Sequence, residues 1–168
     1  MKYFTLNELI KSDTAKARGI DNTPSEYQKK NAIELIENLL DPLREDWAKY
    51  CNMHKLGTPA IRVNSGIRSQ LLNEAVGGSK TSAHYHGWAA DIVPLNGRMD
   101  QFKKFCVNWL LGKEFDQFIS EEEDKNHIPR WIHVGYKNSV GKQRGQFLYM
   151  VNGKYYNLST MLTTMSNI

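Results

Sequence analysis

The sequence predicts an α+β fold: a single domain with a mostly antiparallel sheet and flanking helices. Apolar residues recur at helical spacing in the first third of the chain, and short β-prone segments alternate with helical ones afterwards. A chain of 168 residues, 40% hydrophobic and 24% charged, is long enough for one domain with its own core. We divide residues 1–168 into N-terminal helices over about 5–51, a core over about 60–136 and a hairpin over about 147–158.

The N-terminal third is predicted to be a helical scaffold. Thr5-Leu6-Asn7-Glu8 has the spacing of a capping box, so a short helix should begin there. The polar stretch over 12–23 is interpreted as a loop. A long helix should then start at Thr23-Pro24-Ser25-Glu26, with Pro24 at its first position. Pro42 interrupts the apolar stripe of this helix and predicts a kink or a break near Asp41.

The middle of the chain alternates strand and helix signals. The predicted elements are a strand over 60–64, a helix over 68–76, a strand over 89–93, a helix ending near Gly112, and strands over 115–121 and 131–136. A flexible loop over 77–82 leads towards His84, and a charged loop over 122–130 joins the last two strands.

Two β-prone runs near the end of the chain flank Asn152-Gly153. This dipeptide favours the two-residue type I′ turn that joins antiparallel strands. The pattern therefore predicts a β-hairpin.

Charge and composition narrow the partners that we expect. The net charge of +4 is spread along the chain, without a basic stripe or a recognised nucleic-acid motif, so we expect no nucleic-acid partner. No apolar run is long enough to insert into a membrane, and the N-terminus lacks the pattern of a secretory signal, which predicts synthesis in the cytoplasm. Cys51 and Cys106 are expected to be buried thiols rather than a disulfide framework.

A group of potential metal ligands stands out in the second half of the chain. The segment Ser82-Ala83-His84-Tyr85-His86-Gly87-Trp88-Ala89-Ala90-Asp91 is followed much later by Trp131-Ile132-His133-Val134. His84 and Asp91 are separated by Gly87, which excludes the helical arrangement of many zinc proteases. Two imidazoles and a carboxylate without nearby thiolates favour a catalytic metal site, which keeps a fourth position open for water.

These segments resemble the peptidase M15 family of zinc D-Ala-D-Ala carboxypeptidases and peptidoglycan endopeptidases, especially its M15A-like branch. The similar segments are Ser82-x-His84-x-x-Gly87-x-Ala89-x-Asp91, Trp131-x-His133-Val134, Ser65-Gly66-Ile67-Arg68-Ser69, Leu72-Asn73-x-Ala75-Val76-Gly77-Gly78-Ser79 and Phe115-Asp116-Gln117-Phe118-Ile119. The resemblance runs from about Thr5 to Tyr136 and implies a Hedgehog/DD-peptidase-like fold.

The resemblance also implies roles for individual residues. His84, Asp91 and His133 would bind one Zn²⁺ ion. Arg68 would act in catalysis and substrate binding, because its fixed positive fork can grip a peptide carboxylate or carbonyl. Ser82 is predicted to form hydrogen bonds near the metal and to contact the substrate.

Hydrolysis also needs a group that accepts a proton from water and passes it to the leaving amine. Glu121, at the end of a predicted strand, is our candidate. Some proteins of this wider fold have an acidic residue three positions before the last histidine, where this chain has Arg130. If the predicted strand is shifted by one residue, the base is Glu122 instead. For any single residue of the acidic run over 121–124, a solvated surface position is an equally good interpretation.

Four further residues in these segments have an ordinary interpretation beside a functional one. His86 is expected to be solvated or to support a ligand, and His127 to be an ordinary loop histidine rather than a proton donor. Tyr85 and Trp88 could wall a cleft, but core packing explains them equally well.

The residues alone predict a metal-dependent hydrolase. The resemblance implies a zinc metallopeptidase that cuts peptidoglycan stem peptides, as a D-Ala-D-Ala carboxypeptidase or as an endolysin-type endopeptidase. We expect a monomer that acts on the cell wall, as a phage or prophage lysin or as a bacterial remodelling enzyme. The alternative is a catalytically inactive zinc-binding module that binds cell wall or a protein partner, which Arg130 at the usual position of the base favours.

Overall fold

The computed structural model describes residues 1–158. Its helices are α1 (Leu6–Ile10), α2 (Asp13–Arg18), α3 (Glu26–Leu35), α4 (Asp41–His54), α5 (Gln70–Ala75) and α6 (Met99–Leu110), with a π-helical segment at Ile36–Leu40. Its strands are β1 (Ile61–Ser65), β2 (Ala89–Pro94), β3 (Gln117–Glu121), β4 (Trp131–Gly135), β5 (Gln146–Val151) and β6 (Lys154–Asn157). They form one sheet in the order β1-β2-β4-β3-β5-β6, and the predicted α+β class is confirmed.

Local signals place several boundaries correctly. Thr5 caps α1 with the predicted capping box, in which Glu8 bonds back to the Thr5 backbone. Asn152 and Gly153 have φ values of 49° and 74° and join β5 to β6, so the predicted hairpin is confirmed. The capping box and the hairpin turn each depend on the side chains or backbone angles of only a few adjacent residues.

The predicted loop over 12–23 is wrong in its first half. Ser12 caps α2 by accepting a hydrogen bond from the Ala15 backbone, and Gly19 ends the helix with φ 63°. The start of the long helix is also later than predicted, because Ser25, rather than Thr23, accepts the capping bond, and Pro24 precedes the helix. A polar composition does not exclude a helix that is well capped at both ends.

The predicted break near Asp41 takes the form of the π-helical segment, which ends just before Asp41 and Pro42. Asp41 is buried, and its carboxylate accepts hydrogen bonds from the backbone N–H groups of Tyr3 and Phe4 at 3.0 and 3.1 Å. The chain start is thereby fixed against the helical layer.

The two faces of the sheet differ in their surroundings. Ile92, Phe118 and Ile132 point to the helical side, where they join a core that includes Trp47 of α4 and Phe102 of α6. Residues one position along each strand point to the opposite face, because side chains alternate. That second face carries the candidate site.

The sheet is antiparallel except at β3 and β5, which pair in parallel. The chain leaves β4, crosses β3 and returns beyond it, so β5 lies beside β3 rather than beside β4. This pairing extends the second face of the sheet by two strands, β5 and β6.

Candidate metal centre

Three side chains converge on the second face of the sheet. Asp91 of β2 and His133 of β4 are direct cross-strand partners, and His84 approaches from the turn that precedes β2. His133 Nδ1 lies 3.0 Å from Asp91 Oδ1, His84 Nε2 lies 3.2 Å from the same oxygen, and the two ring nitrogens are 3.2 Å apart. All three residues are buried, and their donor atoms form a group that could hold a metal ion.

The spacing of these donors fits a tetrahedral ion. Tetrahedral Zn²⁺ with ligands at about 2.0–2.1 Å separates neighbouring ligand atoms by about 3.4 Å. The observed separations of 3.0–3.2 Å are close to this value. Two imidazoles and one carboxylate are also the donor types that zinc accepts, and three protein ligands leave a fourth position for a reactant.

His84 is oriented by the backbone. Its Nδ1–H donates a hydrogen bond of 2.8 Å to the Gly66 carbonyl, which leaves Nε2 without a proton and directed at the other two donors. Burial lowers the pKa of His84, against the opposing effect of Asp91, so the ring is held in the neutral form that binds metals. Gly66 itself packs so tightly that a Cβ there would lie 2.5 Å from the Leu9 carbonyl oxygen.

Asp91 remains ionised in this buried position. Burial alone would raise its pKa, but the combined effect of His84 and His133 is greater and holds the pKa well below its usual range. Arg68 adds a further positive charge, with its guanidinium NH2 3.6 Å from Asp91 Oδ2. The carboxylate is therefore available as an anionic ligand.

Arg68 lies beside the donors, at the wall of the same cleft. Its Nε donates to the Ser65 hydroxyl at 3.2 Å, and its backbone N–H donates to the His84 carbonyl, which ties it to the turn that carries the ligand. Burial lowers the pKa of Arg68, while Asp91 and Glu121 act in the opposite direction. An arginine guanidinium stays charged in proteins, so Arg68 is a fixed cation in the cleft. The structure thus brings the predicted substrate arginine to the predicted metal ligands.

A cleft of about 670 Å³ opens over the donors, and Glu121 forms part of its lining. Glu121 lies two residues beyond Ile119, the cross-strand partner of His133, and so shares the face that carries the ligands. The residue is 7% exposed, and its Oε2 has no hydrogen-bond partner within residues 1–158. Burial is the main cause that raises the pKa of Glu121 to about 7, so this carboxyl can exchange a proton near neutral pH.

The other members of the acidic run have different surroundings. Glu122 has φ 49°, points to solvent and pairs with Arg130 at 3.2 Å, so neither residue lines the cleft. Glu123 is buried and pairs with Lys103 of α6, and it also accepts a hydrogen bond from Ser120. The solvated interpretation therefore fails for Glu121 and Glu123, which are both buried.

The remaining predicted residues separate into two groups. Ser82 lines the cleft beside His84. Tyr85 and His86 face away from it into a separate depression of about 360 Å³, where the Tyr27 hydroxyl lies 3.3 Å from His86 Nδ1. His127 pairs with Glu123 at 3.0 Å and Trp88 is buried, so neither forms part of the cleft lining.

The cleft includes residues that sequence reasoning missed. Asp116 and Arg144 line the cleft and form a bidentate ion pair, and Tyr155 of β6, two strands along from β3, lines it as well. Asp116 does have a sequence signal, because it lies in the segment Phe115-Asp116-Gln117-Phe118-Ile119 that resembles the family. Arg144 and Tyr155 have no such signal in the sequence, because they reach the cleft only through the parallel pairing of β3 with β5.

Comparison with known proteins agrees with this geometry. A family model described as Peptidase M15 matches residues 2–134, a span that includes the three donors, Arg68 and Glu121. No curated protein sequence matches the chain significantly. Five residues of the cleft lining lie outside the matched span: Asn138, Arg144, Leu148, Met150 and Tyr155.

Proposed function

Because the chain belongs to the peptidase M15 family, we propose that it is a zinc-dependent peptidase that hydrolyses an amide bond in peptidoglycan stem peptides. The family accounts for the peptidase activity and for a metal. The observation that carries the proposal is the buried group of His84, Asp91 and His133 in one cleft with Glu121, whose Oε2 has no hydrogen-bond partner in the described part of the chain. Zinc and the stem-peptide substrate are the specific part of the proposal.

Each residue has a definite task in this mechanism. His84 Nε2, His133 Nδ1 and Asp91 Oδ1 would hold the ion. Zinc supplies Lewis-acid chemistry, since it acidifies water and polarises a carbonyl. The Glu121 carboxylate accepts the proton of the attacking water and delivers it to the amine that leaves, which requires a pKa near the working pH. Arg68 orients the substrate by donating to a carboxylate or carbonyl oxygen.

The cleft is compatible with either of two cuts. A D-Ala-D-Ala carboxypeptidase would hold the terminal carboxylate of its substrate, whereas an endolysin-type endopeptidase would accept chain on both sides of the bond. We propose a monomer that acts on the cell wall, as a phage or prophage lysin or a remodelling enzyme, and the net charge of +4 favours approach to an anionic wall. Within residues 1–158, no helix has the length and apolar character to cross a membrane.

The test combines metal content with product analysis. We expect about one zinc ion per chain by elemental analysis, and peptide ends released from purified peptidoglycan, with the bond identified by mass spectrometry of defined stem peptides. His133→Ala should lose both zinc and activity. Glu121→Gln should keep zinc and lose about 10²- to 10⁴-fold in kcat, the usual contribution of a general base.

Glu122→Gln is the matched control, because Glu122 points to solvent on the same strand end. It should leave kcat unchanged. Stoichiometric zinc without released ends under any condition would instead favour the inactive zinc-binding module, in which the surface binds cell wall or a protein partner.

A further inference from the structure

We propose that Arg144 forms a carboxylate-binding subsite of the cleft, on the other side of His133 from Arg68. This inference rests on the proposed function, because it concerns the peptide that occupies the same cleft. It identifies the substrate as one that carries a free carboxylate near the bond that is cut.

The strand order places the two arginines on opposite sides of the metal ligands. Arg68 contacts Asp91 on β2, whereas the partner of Arg144 is Asp116, immediately before β3. Strand β4, with His133, lies between β2 and β3. Neighbouring strands are about 4.8 Å apart, so β2 and β3 are separated by about 10 Å. An extended peptide covers that distance in about three residues, which allows one substrate to reach both arginines.

Arg144 is close to the reacting region. The Asp116 backbone N–H donates to the Gly135 carbonyl at 2.8 Å, two residues after His133 on the same strand. A Cβ at Gly135 would lie 3.7 Å from His133 Nε2 and 3.9 Å from Asp116 Oδ2, so both groups border the space above this glycine. The Asp116 carboxylate that holds the Arg144 guanidinium therefore lies near the His133 ring.

The Arg144 side chain is held in place before any ligand arrives. Its Nε and NH2 donate to the two Asp116 oxygens at 2.7 and 2.9 Å, and its backbone N–H donates to the same carboxylate at 3.3 Å. Asp116 is fully buried. Such an anchored guanidinium loses little conformational entropy on binding, which favours recognition of a planar anion.

Donors remain for a ligand after this pairing. A guanidinium has five N–H groups, and Asp116 engages two of them; the other three have no hydrogen-bond acceptor within residues 1–158. The Arg144 side chain is 40% exposed and lines the cleft. A carboxylate matches the geometry of two of these N–H groups better than a single carbonyl does.

A purely structural role is the competing explanation. The ion pair also attaches the connection between β4 and β5 to the sheet, together with a bond of 3.1 Å from Gln143 Nε2 to the Tyr136 carbonyl. An anchor alone would affect every substrate equally. A subsite affects only substrates that carry the carboxylate, and this difference can be measured.

The experiment uses the full-length protein and stem peptides in which each carboxylate is amidated in turn. Binding to the metal-free protein is measured by calorimetry, and kcat/KM is measured with the zinc-loaded protein. We expect the wild type to favour the free carboxylate at one position by about tenfold, the low end for hydrogen bonds to a charged group. Arg144→Gln should abolish that preference and leave the amidated peptide unaffected.

Two variants complete the design. Lys142→Gln removes an exposed charge from the same connection and should retain the preference. Arg144→Lys keeps a charge beside Asp116 without the planar fork, so it should show a reduced preference, and it decides the question if Arg144→Gln does not fold.

The outcomes separate this inference from the proposed function. An equal loss for free and amidated peptides in Arg144→Gln, or no preference in the wild type, would overturn the subsite while cleavage continued. A preference in binding that depends on Arg144, without cleavage of any peptide, would support the subsite and refute the peptidase proposal.

Discussion

Replacement of Glu121 by glutamine should stabilise the metal-free protein at alkaline pH even as it removes activity. The Glu121 carboxyl is 7% exposed, and its Oε2 has no hydrogen-bond partner within the described chain. Ionisation of such a group is costly, because a buried charge without partners loses its hydration. Glutamine has nearly the same shape but cannot ionise.

The magnitude follows from the pKa of this carboxyl. Burial raises the pKa of Glu121 from an ordinary 4.5 to about 7. At 1.36 kcal/mol for each pH unit, this rise corresponds to about 3 kcal/mol. Water in the cleft screens part of the effect, so we expect the free energy of unfolding to differ by about 2 kcal/mol.

The pH dependence has a definite sign. Between pH 4.5 and 7 the folded wild type binds more protons at Glu121 than the unfolded chain does, so its stability falls as pH rises through this window. The variant lacks this loss. The free energy of unfolding of Glu121→Gln should therefore equal that of the wild type at pH 4 and exceed it by about 2 kcal/mol at pH 8.

Urea denaturation of the chelator-treated proteins at both pH values measures this difference. Other titrating groups, including the metal ligands, are common to both proteins and cancel in the comparison. Glu122→Gln, on an exposed neighbour, should change stability by less than about 0.5 kcal/mol at either pH. An equal effect of Glu121→Gln at both pH values, or no gain at pH 8, would refute the reasoning from burial.

Two further predictions concern residues that support the site. Gly66→Ala should weaken zinc binding by about 10- to 100-fold in a chelator competition. The added Cβ would lie 2.5 Å from a backbone oxygen of α1 and would displace the Gly66 carbonyl that orients His84. An unchanged zinc affinity would show that this carbonyl is dispensable. Glu123→Gln should lower the free energy of unfolding, measured in urea, by about 3–5 kcal/mol, because it leaves the buried Lys103 ammonium without its ion-pair partner. A loss of stability as small as that of Glu122→Gln would contradict this prediction.

Short-range signals predicted much of the scaffold. The capping box at Thr5 and the Asn152-Gly153 turn each depend on a few adjacent residues, and both agree with the structure. The polar composition of Asp13–Arg18 predicts a loop, whereas the structure has a helix there with caps at Ser12 and Gly19. Composition is weaker evidence than capping when a helix is short and lies on the surface.

The parallel pairing of β3 with β5 could not be predicted in the same way. Strand signals identify segments, but they do not say which segments become neighbours. Here the chain passes β3 after β4, and β5 pairs with the edge of β3 that faces away from β4. This pairing brings Arg144 and Tyr155 into the cleft. The Arg144–Asp116 pair spans 28 residues, well beyond any local pattern.

The residue types of the site and their family can be recognised in the sequence alone: two histidines, an aspartate and an arginine in a recognisable order, which imply a metallopeptidase. Which glutamate enters the cleft depends on strand pairing, because side chains alternate along a strand and a shift of one residue in the register would exchange Glu121 for Glu122. The tertiary structure also sets the separations of 3.0–3.2 Å between the donors and places Arg144 in the lining of the same cleft. Distances between residues that are far apart in sequence are set by core packing and strand pairing, and local sequence patterns do not show which segments pack or pair together.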